Sequence, residues 1–155
     1  MNRTQLDWVA EIGTSLTYGI VDMVNITGNN GADILIGTSS ADLIQGLYGD
    51  DQISAGGGDD IILGGIGFDT IDGGDGFDLV SYADLATGVI VDLSTGVVDE
   101  GGSVGDSLTS IEAVVGTAFD DSLTGNDSGN YLAGGDGMDE IIGGAGNDTF
   151  EGGRG

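Results

Sequence analysis

Between Gly46 and Ser81 the chain runs in four consecutive nonapeptides, GLYGDDQIS, AGGGDDIIL, GGIGFDTID and GGDGFDLVS. Aligned, they put Gly at the fourth place, Asp at the sixth and a β-branched apolar residue at the eighth. Upstream, GNNGADILI from Gly28 and GTSSADLIQ from Gly37 keep the frame, so Asp33, Asp42, Asp51, Asp60, Asp69 and Asp78 recur at a strict interval of nine. Glycines in the first half of each unit permit the positive φ and close backbone approach of a tight turn. The triplet after each Asp, such as Ile61-Ile62-Leu63, is too short for a helix and rich in β-branched side chains, so it reads as a short strand with its middle residue inward. Turn and strand alternating at a fixed period predict an all-β solenoid, with Leu35, Ile44, Ile53, Ile62, Ile71 and Val80 buried between neighbouring coils. The seventh-place residues Ile34, Leu43, Ile61 and Leu79 then face outward. They form an apolar stripe, expected to pack against the hairpin segment that follows the repeats or the N-terminal cap or, as the alternative, to mark an interface with another chain or domain.

If two nonapeptides complete a coil, Asp33, Asp51 and Asp69 stack on one edge and Asp42, Asp60 and Asp78 on the other, with coils roughly 4.8 Å apart as paired strands are. Two carboxylates at that separation repel by about 0.9 kcal/mol in bulk-water dielectric and by roughly 3.5 kcal/mol at an effective dielectric of 20. With 27 Asp+Glu against 2 Lys+Arg, the chain cannot neutralise these columns itself. A divalent cation is therefore expected between coils. Hard carboxylate and carbonyl oxygens, in a chain with no His and no Cys, select calcium over zinc, copper or iron. One apolar side chain per nonapeptide is a small core against the backbone entropy of a glycine-rich chain. The expectation is a chain disordered without calcium and folded with it.

The frame resumes after a gap as GTAFDDSLT, GNDSGNYLA, GGDGMDEII and GGAGNDTFE, with Asp121, Asn130, Asp139 and Asp148 at the sixth place. The amide of Asn130 can ligate a cation but brings no charge, so its site should be weaker. The opening turns of each block depart from the pattern, with Asn29, Thr38, Ser40, Thr117, Phe119 and Ser128 where it wants Gly. Four segments result: 1–27, an N-terminal cap or the tail of an upstream domain; 28–81, a first repeat block; 82–115, an inter-block segment; and 116–155, a second block. In the inter-block segment Gly88 to Leu93 alternates as a strand, Thr95-Gly96 turns and Val97-Val98 starts a second strand, so a hairpin is expected. In the first segment Trp8, Val9, Ile12, Leu16, Tyr18, Ile20 and Val24 could close the end of the solenoid.

A net charge of −25 argues against nucleic acid or an anionic membrane as a direct partner. No stretch reaches the roughly 18 apolar residues of a membrane span, and no basic start precedes a signal-peptide core. Catalysis has little to stand on. Gly101-Gly102-Ser103-Val104-Gly105 fits G-x-S-x-G, but the chain offers no His as base and no strand–turn–helix context. Paired acids such as Asp59-Asp60 or Asp120-Asp121 read as one ligand and one exposed neighbour rather than a glycosidase pair.

The consensus G-G-x-G-x-D-x-U-x, matched best by GGIGFDTID, GGDGFDLVS and GGAGNDTFE, resembles the RTX or haemolysin-type calcium-binding repeat. The resemblance implies a right-handed parallel β-roll with several Ca²⁺ ions held between successive loops. Its ligands would be the ten sixth-place side chains and the turn carbonyls of Gly46, Gly49, Gly56, Gly58, Gly64, Gly65, Gly67, Gly73, Gly74 and Gly76 in the first block and Gly134, Gly135, Gly137, Gly143, Gly144 and Gly146 in the second. The inter-block segment is similar to linkers between repeat blocks of bacterial RTX proteins. The resemblance further implies a non-catalytic module of a secreted, extracellular bacterial protein, exported by type I secretion machinery and folding outside the cell. The alternative function is a carbohydrate- or surface-binding module that meets a surface polysaccharide. The final Gly152-Gly153-Arg154-Gly155 opens another repeat, and the export signal of such proteins is expected beyond it.

Overall fold

The computed structural model describes residues 23–101 and 104–155. These residues are all-β, without helix. Two sheets face each other and the chain passes from one to the other at each turn, building a parallel β-solenoid. The first sheet runs β1 (Val24–Thr27), β3 (Asp42–Tyr48), β5 (Ile61–Ile66), β7 (Leu79–Ser81), β11 (Ala113–Val115), β13 (Tyr131–Ala133) and β15 (Thr149–Glu151). The second contains β2 (Ile34–Ile36), β4 (Gln52–Gly57), β6 (Thr70–Asp75), β10 (Val104–Thr109), β9 (Val97–Glu100), β8 (Val89–Asp92), β12 (Ser122–Thr124) and β14 (Glu140–Ile142).

Within the repeats the register advances by eighteen residues, Leu43 opposite Ile61 and Ile53 opposite Ile71, so two nonapeptides make one coil as the spacing predicts. The period also fixes the core. Ile44, Ile62, Ile71 and Val80 are fully buried, and Val91, Val98, Leu108, Val114, Leu123 and Leu132 carry the same column through the rest of the molecule. Coils stack at backbone contact in the turns. Gly65 sits at φ +108, and a methyl group on it would come within 2.2 Å of the Leu47 carbonyl oxygen in the coil before.

The hairpin lies inside the solenoid rather than on it. Strands β8 and β9 pair antiparallel, with Val91 opposite Val98. Strand β9 then pairs antiparallel with β10, which runs parallel beside β6. The second sheet thus carries one reversed strand, while β11 continues the first sheet between β7 and β13 without a break.

The outward stripe divides by sheet. On the second sheet Ile34 is 73 % exposed, whereas on the first Ile61 and Leu79 are 7 % exposed. Those two join Ala113, Tyr131 and Ala133, with Met23, Leu43, Leu63 and Val115 packed against them. The hairpin strands belong to the other sheet, so they do not form the outer cover of this cluster. The cap residues Trp8, Val9, Ile12, Leu16, Tyr18 and Ile20 lie outside the described residues.

Candidate metal centre

From Asp51 onward the sixth-place carboxylates each meet the preceding coil through one oxygen. Asp51 Oδ1 accepts the Asp33 N–H at 2.8 Å, Asp69 Oδ1 that of Asp51 at 2.9 Å, Asp60 Oδ1 that of Asp42 at 2.7 Å and Asp78 Oδ1 that of Asp60 at 2.9 Å. In the second block Asp121 accepts from Val89, Asp139 from Asp121 and Asp148 from Asn130. These bonds hold the carboxylates in two columns at the solenoid edges, as the period predicts. Asp42, Asp51, Asp60, Asp69 and Asp78 are all buried.

The second oxygen separates the turns into two groups. Oδ2 of Asp51, Asp60, Asp69, Asp78 and Asp139 is buried with no hydrogen-bond partner. In contrast Asp33 Oδ2 accepts the Asn29 N–H at 2.6 Å, Asp42 Oδ2 that of Thr38 at 2.6 Å and Asp121 Oδ2 that of Thr117 at 2.7 Å. Asn130 Oδ1 accepts the Asn126 N–H at 2.8 Å.

A buried carboxylate oxygen without a donor forfeits a hydrogen bond and its solvation together. Burial accordingly pushes the Asp69 carboxyl up to about 7 and Asp78 to about 6, with neighbouring acids adding to the rise and the backbone hydrogen bonds opposing it. Asp51, Asp60 and Asp121 are raised from the usual range for the same leading reason. In the same turns the carbonyls stack coil on coil. Methyl groups on Gly67, Gly74 and Gly76 would come within 2.1 Å of the carbonyl oxygens of Gly49, Gly56 and Gly58 respectively. No group of three or more acidic side chains is placed to hold one metal ion by itself among the described residues, so any ion here leans on carbonyl oxygen as well as carboxylate. An all-oxygen set of this kind fits a hard divalent cation, calcium above all.

Two members of the columns escape a reading of the sequence. Asp106 Oδ1 accepts the Asp69 N–H at 2.9 Å, its Oδ2 accepts the Tyr82 hydroxyl at 3.0 Å, and Glu112 Oε2 accepts the Asp78 N–H at 3.0 Å. The signal was present but displaced. The stretch GGSVGDSLT is a nonapeptide with Asp106 sixth and Leu108 eighth, set 37 residues after Asp69 instead of 36. The G-x-S-x-G stretch is the opening of this unit, and residues 102 and 103 in it lie outside the described residues. Beside it Glu100 is pushed up to about 7 by burial first and by Asp106 and Asp69 next, and its Oε1 is buried without a partner.

The fifth-place acids are exposed but not idle. Asp50, Asp59 and Asp120 accept the N–H groups of Phe68, Phe77 and Met138 eighteen residues on, at 3.0, 3.0 and 2.8 Å. They tie coils together from outside while the sixth place ties them from within.

A family model described as the RTX calcium-binding nonapeptide repeat matches the chain in four copies, at residues 27–62, 54–81, 110–137 and 124–155. Together these cover more than half of its length. No curated protein matches the chain.

Proposed function

The chain belongs to the family of RTX calcium-binding nonapeptide repeats, calcium-binding modules, and from that membership we propose that it folds on calcium outside the cell. In this reading it assists type I export and then stabilises a larger secreted bacterial protein, without catalysis of its own. The observation that carries it is the row of orphaned, buried Oδ2 atoms on Asp51, Asp60, Asp69, Asp78 and Asp139. These side chains, with Asp148 and the turn carbonyls of Gly49, Gly56, Gly58, Gly135 and Gly137, are the residues we assign to hold Ca²⁺. Bound there, the ion would supply the positive charge that the 2 Lys+Arg of the chain cannot.

Affinity in the range of extracellular modules, about 10⁻⁴ to 10⁻³ M, would leave the chain unfolded where calcium is scarce and folded where it is abundant. Far-ultraviolet circular dichroism across a calcium titration tests this. The expected result is a coil spectrum turning to β with a midpoint in that range; a complete β spectrum in calcium-free buffer at neutral pH overturns it.

A second reading, a carbohydrate- or surface-binding module, draws on Tyr48, Ile66 and Phe68, which are exposed at one edge with Tyr48 opposite Ile66 in the ladder. Calorimetric titration of the calcium-loaded chain with an acidic polysaccharide tests it, and absence of heat at millimolar sugar counts against it.

A further inference from the structure

The division between orphaned and bonded carboxylates follows the conformation of the second-place residue in each nonapeptide. Where Oδ2 is orphaned, that residue has positive φ: Leu47 at 83°, Gly56 at 105°, Gly65 at 108°, Gly74 at 99° and Gly135 at 102°. Where it, or the amide oxygen of Asn130, is bonded, the second place holds Asn29, Thr38, Thr117 or Asn126, none of which has positive φ. Positive φ rotates the peptide plane, and no donor reaches Oδ2; with negative φ the second-place N–H points at it.

Side chains complete the second arrangement. Asn29 Nδ2 donates to Asp33 Oδ1 at 2.6 Å, and the hydroxyls of Thr38 and Thr117 donate to Oδ1 of Asp42 and Asp121 at 3.2 and 2.9 Å. The same hydroxyls accept the N–H groups of Ser40 and Phe119 at 3.2 and 3.0 Å. Donors thus surround the carboxylate and their positive ends occupy the direction from which a cation would approach.

We infer that the second-place residue decides whether a turn takes an ion, and that Asn29, Thr38, Thr117 and Asn126 stand in for calcium. The opening two turns of each block then close on internal hydrogen bonds. The turns that follow them, from Leu47 to Asp78 and around Asp139 and Asp148, where Gly144 has φ 88, stay open until metal arrives. Each block therefore begins with a metal-free template on which ion-dependent coils stack. This deepens the calcium reading and rests on it. Leu47 is the informative case, because it lacks the consensus glycine and yet belongs with the open turns.

Calcium bound per chain, counted by native mass spectrometry on the full 155-residue protein, tests the assignment. Thr38→Gly and Thr117→Gly are each expected to raise the count by one relative to the parent chain, because glycine frees the second place to take positive φ and withdraws the hydroxyl. Leu47→Gly, in a turn already open, is expected to leave the count unchanged. Thr117→Val keeps negative φ and is expected to gain no ion while lowering the melting temperature of the loaded protein. An unchanged count in both glycine variants, with the loaded chain still β by circular dichroism, overturns the proposal, as does an added ion in Leu47→Gly or Thr117→Val. A parent chain that binds no calcium at all would instead overturn the metal reading beneath it.

Discussion

Gly57 and Gly65 show how far the glycines of adjacent repeats can differ. A methyl group on Gly57 would have nothing closer than 3.7 Å and its φ is not positive, whereas Gly65 combines φ +108 with a backbone oxygen at 2.2 Å from the added carbon. Gly57→Ala is expected to leave the loaded protein as stable or raise it by up to about 1 kcal/mol, through the loss of freedom in the unfolded chain. Gly65→Ala is expected to lose at least about 1 to 3 kcal/mol, from backbone strain alone. Calcium-loaded thermal melts of the two variants check the contrast, and equal effects would contradict the stacking described for the turns. The consensus makes Gly65 legible, since its second place wants glycine. It misses Leu47, which takes φ 83 in spite of its side chain, because a dihedral held by the coils on either side is a tertiary outcome that no local preference announces.

Among the elements, the repeat strands were readable because one period fixes both what is buried and what pairs. The segment from β8 to β11 was readable only in part. Its hairpin shows in the alternation of Val89 to Leu93 and the turn at Thr95-Gly96, but its place inside the second sheet does not. A single inserted residue takes Asp106 out of the frame that locates every sixth-place Asp of the first block. Identical places also diverge by sheet, Ile34 exposed and Ile61 buried in the cluster with Leu79, Ala113 and Tyr131, a difference the residue types themselves do not announce. At the junction Tyr82, itself buried, holds Asp106 through its hydroxyl. Tyr82→Phe removes that donor and leaves a buried carboxylate oxygen orphaned, which should destabilise the loaded protein by about 1 to 3 kcal/mol. Thermal melts at fixed calcium measure it, and an unchanged midpoint would show that the hydroxyl contributes nothing.

At the scale of the molecule, protons and calcium compete for the same negative columns. Burial first and neighbouring acids next raise Asp69 and Glu100 to about 7 and Asp78 to about 6, against roughly 4 for free carboxyls. Groups raised on folding stabilise the fold fully below the unfolded value, and that stabilisation is lost as pH rises through the folded one. The calcium-free chain is therefore expected to carry more β structure at pH 5 than at pH 7.5, the change falling between about 4 and 7. Circular dichroism in resin-stripped buffer reads it, and identical spectra at the two pH values would refute it. The reversed strand β9 has a mechanical corollary. One wall of the solenoid is an unbroken parallel ladder from β1 to β15, and the other is patched where β8, β9 and β10 meet. Because neighbours in such a stack stabilise one another in series, the ladder through β7, β11 and β13 welds both halves into a single spring instead of two beads on a string. Heating the loaded protein in a calorimeter should accordingly give one endotherm, and bending should concentrate at the patched wall.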